Sequence, residues 1–274
     1  MYYYDEVANR LKRETPATAV ERALGILESV AQRSSGMTNA ELSRRLDMPK
    51  SSASYILRTL EKSGYLRRDT GGRYRLGMKV VHLSRQALSG LDVRELALPI
   101  MRDLMNRSQL TVHLAILDGD EAVYIEKVDS PGFIKMDTWV GKRMEIHTTG
   151  VGKSLAAYEA PTKIEHIMRA RGLRRVTPRS IITASRFRKE LEHVRQVGYG
   201  IDDEENSLGV RCLGAPVFNE ESHAEAAIGV SATLSQVPSE AIPRYAEMVK
   251  EAARRISMQL GWRASSAYKS AGRR

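Results

Sequence analysis

TNAELSRRLDMPKSSASYILRTLEKS, residues Thr38 to Ser63, divides near its single proline into two short helical segments. Thr38 stands three residues before Glu41, the spacing at which each side chain caps the other's backbone N–H and opens a helix. Leu42 and Leu46 then share one face. Asp47 and Met48 break the pattern, and Pro49 belongs near a helix start because it lacks the N–H that an interior position needs. In the second segment Ala53, Ile56, Leu57 and Leu60 recur at helical spacing. That places Ser51, Tyr55, Arg58 and Lys62 on the opposite side. Two helices and a tight turn, with a cationic, hydroxyl-rich face left over, read as a helix-turn-helix; a solvated hairpin in an ordinary helical bundle shares the same spacing.

The thirteen residues after Gly64 favour the helix-turn-helix. In YLRRDTGGRYRLG, Tyr65 to Gly77, the Thr70–Gly72 turn separates two short extended runs, and Arg73 and Arg75 alternate with Tyr74 and Leu76. This pattern predicts a two-stranded wing whose Tyr and Leu pack inward and whose arginines reach phosphates or a minor groove; a merely soluble hairpin surface is the alternative. The expected partner is double-stranded DNA. Lys50, Ser51, Ser52, Ser54, Tyr55 and Arg58 of the second helix, with Arg67, Arg73 and Arg75 of the wing, are the expected contacts.

Charge points the same way. The 274 residues carry a net charge of +10, and residues 1 to 90 hold 16 Lys and Arg against 9 Asp and Glu. A basic small domain on a nearly balanced larger one suits a polyanion partner for the first alone. One cysteine excludes an internal disulfide framework and fits a reducing compartment. No apolar run is long enough to span a membrane, and MYYYDEVANRLKRE lacks a signal-peptide core, so a soluble cytoplasmic chain with no membrane partner is expected.

In chain order, residues 1–17 read as a flexible arm and 18–77 as the winged domain. Its floor is a helix from Ala19 to Gln32 with Val20, Leu24, Leu27 and Val30 along the buried stripe. Residues 78–91 form a linker helix with Val80, Leu83, Ala87, Leu88 and Leu91 on one side, which suits either packing on the larger domain or pairing with a twin in a dimer. Residues 92–262 begin with a helix, Val93 to Arg107. TVHLAIL and EAVYIEKV then flank Asp118, Gly119 and Asp120 as a hairpin, and Phe133 to Val140 and Arg143 to His147 offer further strand material. Helices follow at Gly150–Glu159, Thr162–Arg171 and Ser185–Val197. Strands follow at Tyr199–Asp202, Arg211–Phe218 and Ala226–Leu234, and a last helix runs from near Ser239 to before Gly261. Residues 263–274 read as a disordered basic tail. The class is α+β, with an antiparallel sheet flanked by helices.

Chemistry is sparse. HTTGVGKS, His147 to Ser154, lacks the glycine that a phosphate loop requires at position 147. Gly150 and Gly152 fit equally a helix start that holds a small anion and a plain tight turn. Among the acids Asp202 to Glu205, Asp202 is the one expected to face inward, and Cys212 reads as an inert buried thiol. The six histidines show no metal-ligand spacing and Cys212 has no activating partner nearby, so no catalytic residue, metal or cofactor is expected. An enzyme acting on a small acid, carrying an added basic domain, is the alternative; so is a DNA-binding structural protein without a ligand.

AVERALGILESV, the two motif helices, GRYRLGMKVVHLS, HTTGVGKSLAA and GYGIDDEENSLGVRCLGAPVFN together resemble the IclR family of bacterial transcriptional regulators, from about Thr18 to Gly261. The resemblance implies an N-terminal winged helix-turn-helix, a linker helix, and an effector domain similar to GAF and PAS folds. It implies dimers or pairs of dimers on palindromic operators, switched by small metabolites, frequently organic or aromatic acids. It also implies a pocket from Gly150, Val151, Asp202, Cys212 and Ser231, with Met136 and Met144 as apolar wall. Two positions depart from the family. Gly229 stands where relatives that bind small acids can have Ser, which removes a donor and is expected to add room. Asp47 stands in the turn where Gly is usual, and Asp tolerates the left-handed backbone better than most residues.

Overall fold

In the computed structural model, residues 19–88, 92–133 and 135–263 are described; the arm, Leu91 of the expected linker stripe and the tail from residue 264 lie outside them. The chain forms two compact units, Met1–Gly90 and Leu91–Arg274.

The first unit runs α1 (Ala19–Ala31), α2 (Asn39–Arg45), α3 (Lys50–Lys62), β1 (Leu66–Arg68), β2 (Tyr74–Leu76) and α4 (Met78–Leu88). The capping box forms as the spacing requires: Glu41 N–H donates to Thr38 Oγ1 at 3.3 Å, and Thr38 N–H to Glu41 Oε2 at 2.7 Å. Asp47 sits at φ 47°, the left-handed turn between α2 and α3. Ala53, Ile56 and Leu57 of α3 are buried with Ile26, Val30, Leu42, Met48, Leu66 and Tyr74 in one core. The wing pairs Leu66 with Leu76, Arg67 with Arg75 and Arg68 with Tyr74.

α1 is rotated from the expected stripe. It buries Gly25, Ile26, Ser29 and Val30, while Val20 and Leu24 are exposed at 68% and 54%. The cause is small residues: a Cβ on Gly25 would lie 3.3 Å from Leu46 Cδ2, so the helix turns its smooth side to α2. In α4, Val80 is half-buried and Leu83 is exposed, as are Met78 and Val81.

The second unit runs α5 (Asp92–Ser108), β3 (Thr111–Asp118), β4 (Glu121–Val128), β5 (Arg143–Met144), α6 (Gly150–Ala156), α7 (Pro161–Arg171), α8 (Ala184–Val197), β6 (Gly200–Asp203), β7 (Val210–Phe218), β8 (Ala224–Thr233) and α9 (Ile242–Gln259). The strands form one antiparallel sheet in the order β5-β4-β3-β8-β7-β6. Consecutive residues of a strand point to opposite faces. α6 packs on the face carrying Gly200, Gly214 and Gly229, and α9 with α5 covers the other.

Among the described residues between 129 and 142 no strand forms, against the expectation for Phe133 to Val140. Lys127 Nζ donates to the carbonyls of Met136 at 3.1 Å and Thr138 at 2.8 Å, so a lysine takes acceptors that a neighbouring strand would have used. The strand expected at Arg143 to His147 shortens to Arg143–Met144, and α6 ends at Ala156, before the expected Glu159.

The left-handed turn gives a direct test. Replacing Asp47 by Gly is expected to stabilise the first unit by roughly 0.5–1 kcal/mol, because glycine adopts positive φ without steric cost. Replacing Asp47 by Val is expected to destabilise it. Urea titrations of the three full-length proteins followed by circular dichroism read both.

Candidate functional site

On the first unit, α3 turns Lys50, Ser51, Tyr55 and Arg58 outward, with Tyr55 exposed at 70%, and leaves Ser52 and Ser54 half-buried. Among the described residues no carboxylate pairs with Lys50, Arg58 or Arg67. Arg73 and Arg75 differ. Arg73 donates to Gly36 O at 3.0 Å and Glu41 Oε2 at 3.1 Å, and Arg75 to Asp69 Oδ2 at 3.3 Å and to the Ser34 carbonyl. Both are half-buried and knit the wing to α2 and to the loop after α1, whereas Arg67 is exposed.

On the second unit, α6 lies almost in van der Waals contact with the sheet backbone. A Cβ on Gly214 would stand 2.6 Å from Val151 N, and one on Gly150 would stand 3.0 Å from Gly200 O and Gly214 N. Gly150 therefore serves the close approach. Gly152 serves the turn, its N–H donating to Thr149 Oγ1 at 3.2 Å. Lys153 is wholly buried, and its ammonium donates to Glu205 at 2.6 Å, Ile201 O at 2.7 Å and Glu190 at 3.0 Å.

Beside this seat runs a polar row. Asp202 lies opposite Cys212, Cys212 opposite Ser231, and Ser231 opposite Thr111, all on one sheet face. Ser231 Oγ is 3.3 Å from His113 Nδ1, and His113 Nε2 is 2.7 Å from Thr138 Oγ1 in the 129–142 loop. The His113 ring stacks on Tyr124 with centroids 4.4 Å apart. Met144 and Val151 join Tyr124, Leu155 and Ala227 in an adjoining apolar cluster. Met136 is half-buried in the loop, where its carbonyl accepts from Lys127 Nζ at 3.1 Å. The expected room at Gly229 is absent: a Cβ there would stand 2.8 Å from Val151 Cγ1 and 2.5 Å from Leu213 O, so valine fills the space.

Burial disfavours charge along the row. Burial raises the Asp202 carboxyl to about 7; N–H bonds from Asn206 and Glu205 oppose this, the Glu205 charge adds to it and Lys153 opposes it. Burial, with help from Lys127, lowers His113 to about 3. Cys212 is half-buried rather than the buried thiol expected; its surroundings and the nearby Asp202 still push the thiol up, and burial pushes up the Tyr124 phenol. Such groups exchange hydrogen bonds with a ligand without burying another charge, and a thiol held protonated is a poor nucleophile. Among the described residues no group of three His, Cys, Asp or Glu could hold a metal ion.

Asp202, Cys212 and Ser231 thus stand together, with Gly150 and Val151 against the same strands and Met144 in the apolar cluster that includes Val151. His113, Thr138 and Tyr124 were not singled out in the sequence. The signal for His113 was there: in TVHLAIL, Thr111, His113 and Ala115 alternate with Val112, Leu114 and Ile116, placing two polar residues on one face.

Known proteins share both units. Residues 19–70 match the IclR helix-turn-helix domain, and residues 85–258 match the bacterial transcriptional regulator IclR C-terminal domain. The chain belongs to the IclR family of transcriptional regulators. It is 32% identical to the Escherichia coli regulator XynR over 89% of this chain and 97% of that protein. It is 32% identical to E. coli KdgR over 92% and 95%, and 30% identical to the E. coli repressor AllR over 90% and 92%. The Thermotoga maritima IclR structure superposes with TM-score 0.76 at 30% identity, covering 89% of this chain and 98% of that one. An IclR homologue of Microbacterium hydrocarbonoxydans, solved with 4-hydroxybenzoate, shares the fold at TM-score 0.79 and 24% identity over 89% and 99%. These IclR-family relatives are named regulators and repressors, so the enzyme reading falls away.

Asp202 supplies a pH test. Its folded pKa is above the unfolded value of 3.8, so the folded state binds the extra proton, and stability falls as pH rises from about 4 to about 7 and then levels. Asp202→Asn keeps an acceptor for Glu205 and Asn206 but removes the titration. The variant is expected to gain roughly 1–3 kcal/mol on wild type between pH 4.5 and 8, read by urea melts across that range. A constant difference across the range would contradict the raised pKa.

Proposed function

We propose that this IclR-family regulator reads a palindromic operator as a dimer or pair of dimers, and that a small organic or aromatic acid changes its grip on that operator. What carries the reading is an open cationic face on α3, without carboxylate partners among the described residues, in one unit and a polar row, buried except at the half-buried Cys212, in the other. Tyr55 and Arg58 would meet base edges in the major groove, with Lys50 and the serines on flanking phosphates. Arg67 would meet the backbone beside it. Arg73 and Arg75, bonded within the unit, would chiefly hold the wing in place.

A reader with one recognition helix per subunit gains affinity and specificity by covering two half-sites. The first unit exposes Val20, Leu24, Met78, Val81 and Leu83, apolar surface of the kind that pairing would cover. In the second unit, a carboxylate beside Ser231, Cys212 and a protonated Asp202 would find three donors. Lys127 and Lys142, whose charges His113 feels, would supply a favourable field. The 4-hydroxybenzoate held by the M. hydrocarbonoxydans homologue supports an acid of that class. The acid acts as a switch only if it binds the two arrangements of the paired heads unequally.

An operator selected from random duplexes provides the test. Arg58→Ala and Tyr55→Ala are expected to weaken operator binding about 10- to 100-fold with little change on unrelated DNA. Arg67→Ala is expected to weaken both alike and reduce the salt slope by about one. Fluorescence anisotropy at several salt concentrations measures each. Uniform losses from all three variants on every sequence would contradict base reading by α3. For the effector, a thermal-shift screen of aromatic, hydroxy and sugar acids is expected to find one that raises the melting temperature of wild type but not of Ser231→Ala.

A further inference from the structure

A cavity of about 890 Å³, lined by none of the polar-row residues, opens among the C-terminal end of α8, the β7 segment after Gly214, and α9. Its size falls within the range of about 300–1,000 Å³ typical of small-molecule sites. One wall is aromatic: Trp262 stacks on Phe218 at 5.5 Å, and Tyr158 meets the same Phe218 edge-on at 4.9 Å. Met248 and Val197 extend the apolar lining.

The charges around it do not cancel. Arg107 is matched by Glu251 at 3.0 Å and Lys250 by Glu247 at 2.6 Å. Arg195 and Arg254 have no carboxylate partner among the described residues. Arg195 donates to the Ala157 carbonyl at 2.7 Å, and Arg254 reaches only the Met258 sulfur, at 3.4 Å. Two guanidiniums with donors to spare, beside an aromatic shelf, match a planar anion with an aryl body.

The neighbouring strand edge argues against an extended peptide as occupant. Pairing with β6 begins at Gly200 opposite Gly214, so β7 beyond that point has a neighbour only on the β8 side. Pro216 lies on this stretch and offers no N–H to an added strand. We propose that this cavity is a second ligand site of the effector domain, taking an aryl carboxylate with its ring on Trp262 and Phe218 and its charge on Arg195 and Arg254. The site is separate from the Asp202–Cys212–Ser231 row and does not depend on that row binding anything.

The chain has two tryptophans, and only Trp262 lines the cavity, so Trp139→Phe turns Trp262 into the sole reporter. Benzoate titrated into full-length Trp139→Phe is expected to change Trp262 emission saturably at millimolar concentrations, with acetate and benzyl alcohol giving no saturable change. Adding Arg195→Gln or Arg254→Gln, both exposed positions, is expected to weaken benzoate about tenfold or more while the thermal melt stays unchanged. Adding Ser231→Ala is expected to leave the benzoate response intact, so this proposal and the effector reading of the polar row fail separately. A linear or absent benzoate response, an equal response to benzyl alcohol, or indifference to both arginine replacements would overturn the second site.

Discussion

The second unit depends on one close contact: α6 rests on strand backbone, with no side chains from the strand glycines between them. Gly200, Gly214 and Gly229 lie in register across β6, β7 and β8, and Gly150 and Val151 press against them at distances that any Cβ would shorten below normal contact. That contact fixes where the N-terminal end of α6 stands relative to Asp202, Cys212 and Ser231, one pleat further along the same strands. Lys153 locks it from beneath. Its buried ammonium joins α6 to α8 through Glu190 and to the end of β6 through Ile201 and Glu205. Removing one partner of such a buried pair costs on the order of 3–5 kcal/mol, because the other charge is stranded. The polar row is therefore set on a closely packed base, with Thr138 of the 129–142 loop beside it.

The proposed switch would act at that loop. Its end is tied to β4 by backbone bonds, Gly141 N–H to Tyr124 O and Tyr124 N–H to Lys142 O, and its middle by Lys127 to two of its carbonyls and by His113 to Thr138. His113 also touches Ser231, so a ligand that engages the serine competes with, or reinforces, the contact that pins the loop. A neutral imidazole between two hydroxyls can reverse its donor and acceptor roles with little cost, which suits a ligand-dependent rearrangement. Small differences in such contacts suffice. A coupling of about 1–3 kcal/mol between two sites changes affinity roughly 5- to 150-fold.

Local features of this fold were legible in the sequence and tertiary ones were not. The Thr38–Glu41 box, the stripe through Ala53, Ile56 and Leu57, the Asp118–Asp120 hairpin and the left-handed place for Asp47 all arise within a few residues of chain. Each appears as read. Of the candidate pocket, Asp202, Cys212 and Ser231 came from the family pattern and fall into one cross-strand row. The readings that changed involve partners on other elements. Arg73 and Arg75 look free in the sequence, yet their acceptors include Glu41, 32 residues away, and Ser34, 41 residues away. α1 turned because Leu46 fits Gly25, and the strand expected at Phe133 to Val140 gave way because Lys127 captured its carbonyls. Gly229 promised space that Val151 fills from another element.

If the polar row on the α6 face is where a small acid acts on DNA binding, His113 must carry the signal to the loop. The operator dissociation constant, with and without a saturating concentration of the acid that raises the melting temperature, decides this in wild type and in His113→Phe. The phenylalanine keeps a ring to stack on Tyr124 but removes both contacts, to Ser231 and to Thr138. The acid is expected to change wild-type affinity at least fivefold, while His113→Phe binds operator normally without the acid but responds to it little or not at all. An undiminished response in His113→Phe, with the acid still binding, would contradict a switch that runs through the row.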